Sequence, residues 1–485
     1  MDLSETSSHH NAAESIHESV KKPEYDRSII EGSLVRAVWK IAAPTMLTNA
    51  VAGLQGLIDH LIVGNLIGYQ GNAAMGVSWQ IFLVVVVFIS SVDTGKNILV
   101  ARFAGAGEPD KVNRTVYQGF LTTVIIALAI IAPVGYFASP ALLNLVNATP
   151  EVQTEALPYL RIMFSFSLGF MIYFLVSGAL RAAGDAKTPM IIGIVMTVLN
   201  IILNVVFIIG FGPIPAFGVK GSAIGFCLAS GLVGIYSIYK LWSGDWIVTL
   251  RNRNGYAPDF KIIRRLFKFG LPAGIQGIAM NIGGVLMLSF IGSLAESAAA
   301  QAAFAVSYAQ LFSLITWTSV GLMGAASTVA GQNLGAQQPE RARDAVNTAA
   351  RFAFIGALFI GFFFFFFPAQ LLGFFGMKDS AAVEIGTLLL KILSVSGIFV
   401  TVALTYTGGL QGTGDTKSPL FISIISQVII PLGICFAVRQ TIGLQPWHIW
   451  TAILAGHVTR CILSFWRFQQ GKWRDIKVDL ETTAA

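Results

Sequence analysis

An acid inside an apolar run is the first residue of this sequence that could do chemistry. Asp59 stands in Gly53-Leu54-Gln55-Gly56-Leu57-Ile58-Asp59-His60, with Gln55 one turn before it and Asn49 further back on the same small, polar stripe. Asn200 and Asn204, four apart in a second apolar run, share one helix face. One carboxylate with two amide oxygens makes a possible Na⁺ site at Asp59, Asn200 and Asn204. Deprived of water, the same carboxyl would instead take up and release a proton near neutral pH. A charge at mid-membrane costs roughly 3 kcal/mol or more, so its presence is a functional hypothesis by default.

Asp93 and Lys96, three apart in another apolar run, form a self-neutralising intramembrane pair suited to a structural or cavity-wall role. Gln276, Met280 and Asn281, together with Gln55 and Asn49, offer a mixed polar and soft surface for a substrate cavity. Cys227, Cys435 and Cys461 are far apart, which points to packing and not to a disulfide framework or a metal. No Gly-x-x-x-x-Gly-Lys-Ser/Thr string appears, so direct ATP use is not expected. No cofactor is expected, and clustered groups for a membrane enzyme are absent from the runs.

The elements that must position these residues come in two copies. Gly178-Ala179-Leu180-Arg181-Ala182-Ala183-Gly184-Asp185-Ala186-Lys187-Thr188-Pro189 returns as Gly408-Gly409-Leu410-Gln411-Gly412-Thr413-Gly414-Asp415-Thr416-Lys417-Ser418-Pro419, 230 positions later. Gly105 and Gly335 keep the same distance, and Lys40 to Pro44 matches Lys268 to Pro272. One large unit is used twice. In the repeated turns glycine permits the reversal, Asp185 and Asp415 can accept from the next helix's first N–H groups, and proline opens that helix. Pro44, inside a span, frees a carbonyl and allows a bend.

The second copy serves as a control. Asn200 becomes Ile430, Asn204 becomes Ile434, Asp93 and Lys96 become Met323 and Ala326, and the counterpart of Asp59 lies among Met287, Leu288 and Ser289. Groups that merely held the repeated fold together would be needed in both copies.

Of the 485 residues 54% are hydrophobic and 12% charged, about half the charge of a soluble domain. The fold class is therefore all-α: a polytopic membrane protein with twelve transmembrane helices in two pseudo-symmetric six-helix lobes. Spans are expected at 38–66, 73–103, 114–138, 157–181, 188–210 and 219–242, then 265–292, 299–332, 345–372, 384–410, 418–438 and 447–468. The tail 1–36, disordered up to an amphipathic lead-in at Ser33, precedes a first lobe over 37–242. A linker over 243–264 leads to a second lobe over 265–470 and a tail over 471–485. Arg102, Lys111, Arg114, Arg181, Arg251, Arg253, Arg264 and Lys417 fall in alternate loops, which puts both termini in the cytoplasm of a plasma (inner) membrane protein. The net charge of +7 is this loop bias, and nucleic acid is not an expected partner. With six helices per copy the halves insert the same way up, related by an axis along the membrane normal, with a cleft between them.

Twelve spans in two copies, the paired Arg181-Ala182-Ala183-Gly184-Asp185 and Gln411-Gly412-Thr413-Gly414-Asp415 turns, and Ile58-Asp59 fifteen residues after Pro44 resemble the multidrug and toxic compound extrusion (MATE) transporters of prokaryotic type. The likeness runs from about Ser33 to Arg467. It implies two V-shaped lobes, rocker-type alternating access, and export of organic cations or amphipathic drugs by a monomer in antiport with H⁺ or Na⁺. It also implies that Asp59 is the coupling carboxylate, that Pro44 is the bending point of the first helix, and that Asn200 and Asn204 are fifth-helix partners. Many relatives carry Asp where this chain has Asn204, leaving one negative charge here and the ion open. A sister activity in the superfamily is flipping of lipid-linked oligosaccharides, which needs a more cationic cleft than the first-copy spans suggest.

Overall fold

The computed structural model describes residues 25–146, 148–250 and 256–478, with backbone alone over 84–89. Apolar runs that must satisfy every backbone group without water close on themselves as helices. Twelve long segments result: α1 (Leu34–Leu66), α2 (Tyr69–Gly105), α3 (Pro109–Leu145), α4 (Pro150–Ser165 bent onto Leu168–Ala183), α5 (Lys187–Ile209) and α6 (Val219–Ser243). The second copy follows as α7 (Phe260–Gly292), α8 (Ser297–Gly335), α9 (Pro339–Phe366), α10 (Ser380–Gly412), α11 (Lys417–Thr441) and α12 (Pro446–Gln469). Among the described residues ten of these are long and apolar enough to cross a membrane, and the bent α4 pair makes an eleventh. The chain is an all-α, multi-pass membrane protein.

Several boundaries differ from expectation for local reasons. The fourth span is not one rod: it turns by 52° at Phe166 and Ser167. α9 stops at Phe366, and Pro368 opens a separate short helix, Pro368–Phe374. In the phenylalanine run Phe364 is buried while Phe362, Phe363, Phe365 and Phe366 face outward, so lipid contact holds for all faces but one. α7 starts at Phe260, not at 265, because Asp259 accepts from the Lys261 and Ile262 N–H groups as an N-cap. The linker is correspondingly shorter than 243–264, and Arg251 and Arg253 lie outside the described residues.

The N-terminal tail also departs from the expectation of disorder where it is described. Residues 1–24 and 479–485 lie outside the described residues. Ser28–Glu31 forms a helical turn before α1, and Ile29 is fully buried, its carbonyl accepting from Asn333 Nδ2 at 3.3 Å. Trp473 is buried against Phe468, rings stacked at 5.1 Å.

The repeated strings build matching turns. Gly184 and Gly414 end α4 and α10 at φ +109° and +98°, a conformation that only glycine adopts without strain. Asp185 Oδ1 then accepts from the Lys187 and Thr188 N–H groups at 3.0 Å, and Asp415 Oδ1 from Ser418 N–H at 3.1 Å. Asp415 is further held by Arg467, 2.9 Å from Nε and 2.8 Å from Nη2.

The lobes meet through α2 against α7 and α8, and through α1 against α8. On the face that bears Tyr25 and Val478, the joint is made by backbones. A Cβ on Gly105 would strike the Gln332 carbonyl, and one on Gly335 would strike the Arg102 carbonyl. These two contacts exchange under the 230-residue offset. At the same level a Cβ on Gly331 would lie 2.9 Å from the Cβ of its own counterpart, Ala101. The pseudo-twofold axis passes there, and small-residue crossings of this kind let membrane helices approach closely.

Candidate cation and substrate site

α1 runs through Pro44 without a break, although proline leaves the Lys40 carbonyl without its helical donor. The Thr45 and Thr48 hydroxyls donate to the Ile41 and Pro44 carbonyls at 2.7 and 2.8 Å on the same turns. Further along, Gln55 and Asp59 come round to the side that faces α5, where Thr197, Asn200 and Asn204 repeat at i, i+3 and i+7.

A continuous chain of polar contacts joins the two helices. Asn204 Nδ2 donates to Asp59 Oδ1 at 2.8 Å. Asn200 Nδ2 donates to Asn204 Oδ1 at 3.2 Å, Gln55 Nε2 to Asn200 Oδ1 at 2.8 Å, and Thr197 Oγ1 to Gln55 Oε1 at 2.7 Å. Asn200 and Asn204 are each 1% exposed, so almost all their polar capacity is spent within this chain. The Asn200 amide can also stand reversed, with Nδ2 3.3 Å from Asp59 Oδ1 and Oδ1 accepting from Phe226 N–H at 3.2 Å.

Gln55, Asp59 and Thr197 of this chain line a cavity of about 420 Å³ in the first lobe, together with Asn49, His60, Met75, Trp79 and Arg181, while Asn200 and Asn204 are buried behind them. Asn49 Nδ2 reaches the Trp317 carbonyl of α8 at 3.4 Å, which ties this wall to the second lobe. Arg181 comes from the first repeated turn, where spacing alone gave no reason to place it in a cavity. His60 faces Asn72 Oδ1 through Nδ1 and shares the wall with Asp59, although its position in α1 points it about 100° away. Thr197 was missed by sequence reasoning. Its signal was present, three residues before Asn200 on the same face.

Other expected cavity residues fall elsewhere. Gln276 is buried at 6% exposure, donating to Ser423 Oγ at 2.7 Å and accepting from Gln411 Nε2 at 3.2 Å, so it is a packing amide and not a cavity wall. Asn281 is exposed and bonded to the Gly277 carbonyl of its own helix at 2.9 Å. Met280 does line a cavity, the smaller one of the second lobe. The Asp93 and Lys96 pair is closed: Lys96 Nζ donates to Asp93 Oδ1 at 2.6 Å and to the Leu175 carbonyl, while Asn97 Nδ2 donates to Asp93 Oδ2 at 2.8 Å. Both carboxylate oxygens are occupied, which leaves Asp93 little capacity for a ligand. Among the described residues no group of three or more His, Cys, Asp or Glu side chains could hold a metal.

The MatE family model matches residues 44–206 and 272–437, one segment in each copy. The chain belongs to the MatE family. It is similar to the "Probable multidrug resistance protein NorM" of Thermotoga maritima, 28% identical over 440 residues covering 90% of this chain and 92% of the relative. It is also similar to the "Multidrug export protein MepA" of Staphylococcus saprophyticus, 23% identical over 88% of this chain and 91% of that one. Among solved structures it superposes on an outward-facing multidrug resistance MATE transporter with a TM-score of 0.86 at 21% identity, covering 94% of this chain and 99% of that one. A Pyrococcus furiosus transporter of the MOP superfamily, described as having a binding pocket of reverse polarity, matches with a TM-score of 0.85 at 22% identity over 94% and 99%. A MATE transporter, then, is what positions Asp59 and its amides.

Proposed function

We propose that this MATE transporter is a secondary efflux pump, exporting organic cations or amphipathic drugs in antiport with H⁺ or Na⁺ by alternating access. The observation that carries the reading is the Asp59–Asn204–Asn200–Gln55–Thr197 chain, which reaches the first-lobe cavity through Gln55, Asp59 and Thr197, while the second copy has Met287 at the place of the acid and Ile430 and Ile434 at those of the two asparagines. The names of the relatives support the drug-export part.

Unloaded, the Asp59 carboxylate needs donors, and Asn204 Nδ2 supplies one. A proton or Na⁺ arriving at Asp59 removes that need. With Na⁺, the Asn200 and Asn204 oxygens become the useful ends of the amides. The amides therefore reorganise with the load, and α1, whose missing bond at Pro44 lowers the cost of bending, takes one shape loaded and another unloaded. A drug that binds one shape better competes with the ion through this shared equilibrium, without the two having to touch. The pump acts as a monomer in the plasma (inner) membrane with both termini in the cytoplasm.

The test is dye exchange in vesicles holding the purified protein, with an imposed Na⁺ or pH gradient and a preloaded fluorescent organic cation. One of the gradients should drive the dye, and Asp59→Asn should reduce movement to the level of protein-free vesicles. Dye that ignores both gradients, or an Asp59→Asn variant that exchanges like its parent, refutes the coupling.

A further inference from the structure

The second lobe has its own version of the Asp59 pocket, and its charge is inverted. A cavity of about 110 Å³ is lined by Met280, Gly283, Gly284 and Met287 of α7, Tyr308 of α8, and Gln427 of α11. Under the repeat, Met287 holds the place of Asp59 and Gly283 that of Gln55, since the α1 and α7 prolines are 228 apart. Gln427 holds the place of Thr197. The acid and its amide relay are gone, and the space is bordered by a ladder of stacked rings. Trp450, Phe304, Tyr308, Phe312 and His457 follow one another at centroid distances of 5.9, 4.8, 5.3 and 5.9 Å.

The charged group beside Tyr308 is Arg460 of α12, where the first copy has Ser230. It is 2% exposed, and its Nε has no hydrogen-bond partner. Its charge neighbours are Tyr308 and His457, neither of them an acid, and His457 Nδ1 is already engaged with Ser396 Oγ. Arg460 lies one turn along α12 from Gly456, where an added Cβ would be 3.5 Å from Gln427 Nε2. That Nε2 is itself buried without a partner. Tyr308, on the cavity wall, has no partner for its hydroxyl among the described residues. A buried guanidinium without a counter-charge is strongly disfavoured in a membrane, and an unmet buried donor adds to the cost. Gln427 and Tyr308 line the cavity and Arg460 is the full cation beside Tyr308, and among the described residues no acid answers it.

We infer that this second-lobe cavity is a binding pocket for the anionic group, carboxylate or phosphate, of an amphipathic molecule, with Arg460 as counter-charge, Gln427 and Tyr308 as further donors and the ring ladder as the seat for its apolar part. An Arg fork suits such an oxyanion through two parallel hydrogen bonds. The inference rests on the efflux reading only in treating the ligand as cargo. Zwitterionic compounds thereby join the substrate class.

The test is a fluorescence titration of the full chain in phosphatidylcholine nanodiscs, with no gradient present, using dansylglycine and its uncharged methyl ester. The parent should bind the acid at least about tenfold more tightly than the ester. Arg460→Met should weaken the acid by about tenfold or more and leave the ester within about twofold. Equal affinity of the parent for acid and ester, or equal loss of both in Arg460→Met, overturns the proposal. Should Arg460→Met fail to fold, Tyr308→Phe and Gln427→Leu keep the shape of the pocket, and each should weaken the acid alone by a few fold. Unchanged acid affinity in both also overturns it. Replacing part of the lipid with phosphatidylglycerol identifies the source of the anion: competition that vanishes in Arg460→Met assigns the pocket to a lipid headgroup, and no competition assigns it to the soluble compound. Because binding is read without a gradient, the outcome of the Asp59→Asn exchange assay has no bearing on it.

Discussion

Asp59 and Met287 occupy equivalent turns of α1 and α7, yet one feeds an amide relay at the wall of a cavity of about 420 Å³ and the other borders a ring-lined space of about 110 Å³. What the lobes share is small and structural: Gly105 with Gly335 at the crossings, Gly184 with Gly414 in the turns, Asp185 with Asp415 at the helix starts. What they do not share is the charge inside the spans, where Asp59, Asp93 and Lys96 of the first lobe have uncharged counterparts. Duplication supplied one scaffold twice, and a handful of side chains gave each half its own chemistry.

The largest effect that could break this contrast is at Asp59 itself. Asp59→Asn should abolish gradient-driven exchange in the vesicle assay, whereas Met287→Leu, at the matching place, should change it little. Parity between the two variants would end the claim that the lobes differ in task.

Next in size is the Asp93 and Lys96 pair. Lys96→Met leaves a buried carboxylate without its cation and should cost about 3–5 kcal/mol, read as a fall in thermal midpoint in detergent. Adding Asp93→Met, so that the first lobe approaches the uncharged Met323 and Ala326 of the second, should recover most of the loss. No recovery would mean that the first lobe depends on this pair for more than neutrality.

Asn204→Asp sharpens the ion question. A second carboxylate in the relay favours a bound cation over a protonated acid, so Na⁺ should be preferred by about tenfold more than in the parent. Na⁺ titration of exchange at fixed pH reads this directly, and an unaltered Na⁺ dependence would remove Asn204 from the coupling site.

The smallest effect concerns how the lobes begin. Ser33 makes no side-chain bond at the start of α1, while Asp259 caps α7 and also pairs with Arg114 of α3. Asp259→Ala should therefore cost about 1 kcal/mol and Ser33→Ala almost nothing. Burial pushes the Asp259 carboxyl up, but the Ile262 and Lys261 N–H groups and Arg114 together hold it below the usual range. Its contribution is thus complete above the ordinary carboxylate range and fades as pH falls through the lowered value. Thermal midpoints of parent and Asp259→Ala should converge in acid; a constant gap across pH would exclude the ion pair as the cause.

The repeat, the helix count and the Asp59 constellation were legible because each has a one-dimensional trace: an exact offset, a run length, a polar residue in oil. The 52° turn of α4 at Phe166 and Ser167 has no such trace, since no proline stands there and Gly169, two residues on, looks the same as a glycine in a straight span. Gln276 misled because an amide in an apolar run looks the same whether it faces a cavity or another amide. Its partners Ser423 and Gln411 are more than 130 positions away in sequence, and only folding brings them together. Arg460 escaped notice for a related reason. A lone Arg near the end of a span reads as an interfacial anchor until the helix packing shows it enclosed.

The contacts of Gly105 with Gln332 and of Gly335 with Arg102 obey the rule of a self-complementary dimer, in which each partner offers the other the same patch. A Cβ placed at either glycine meets backbone across the seam, so one added methyl group at the axis should wedge both mirror points apart.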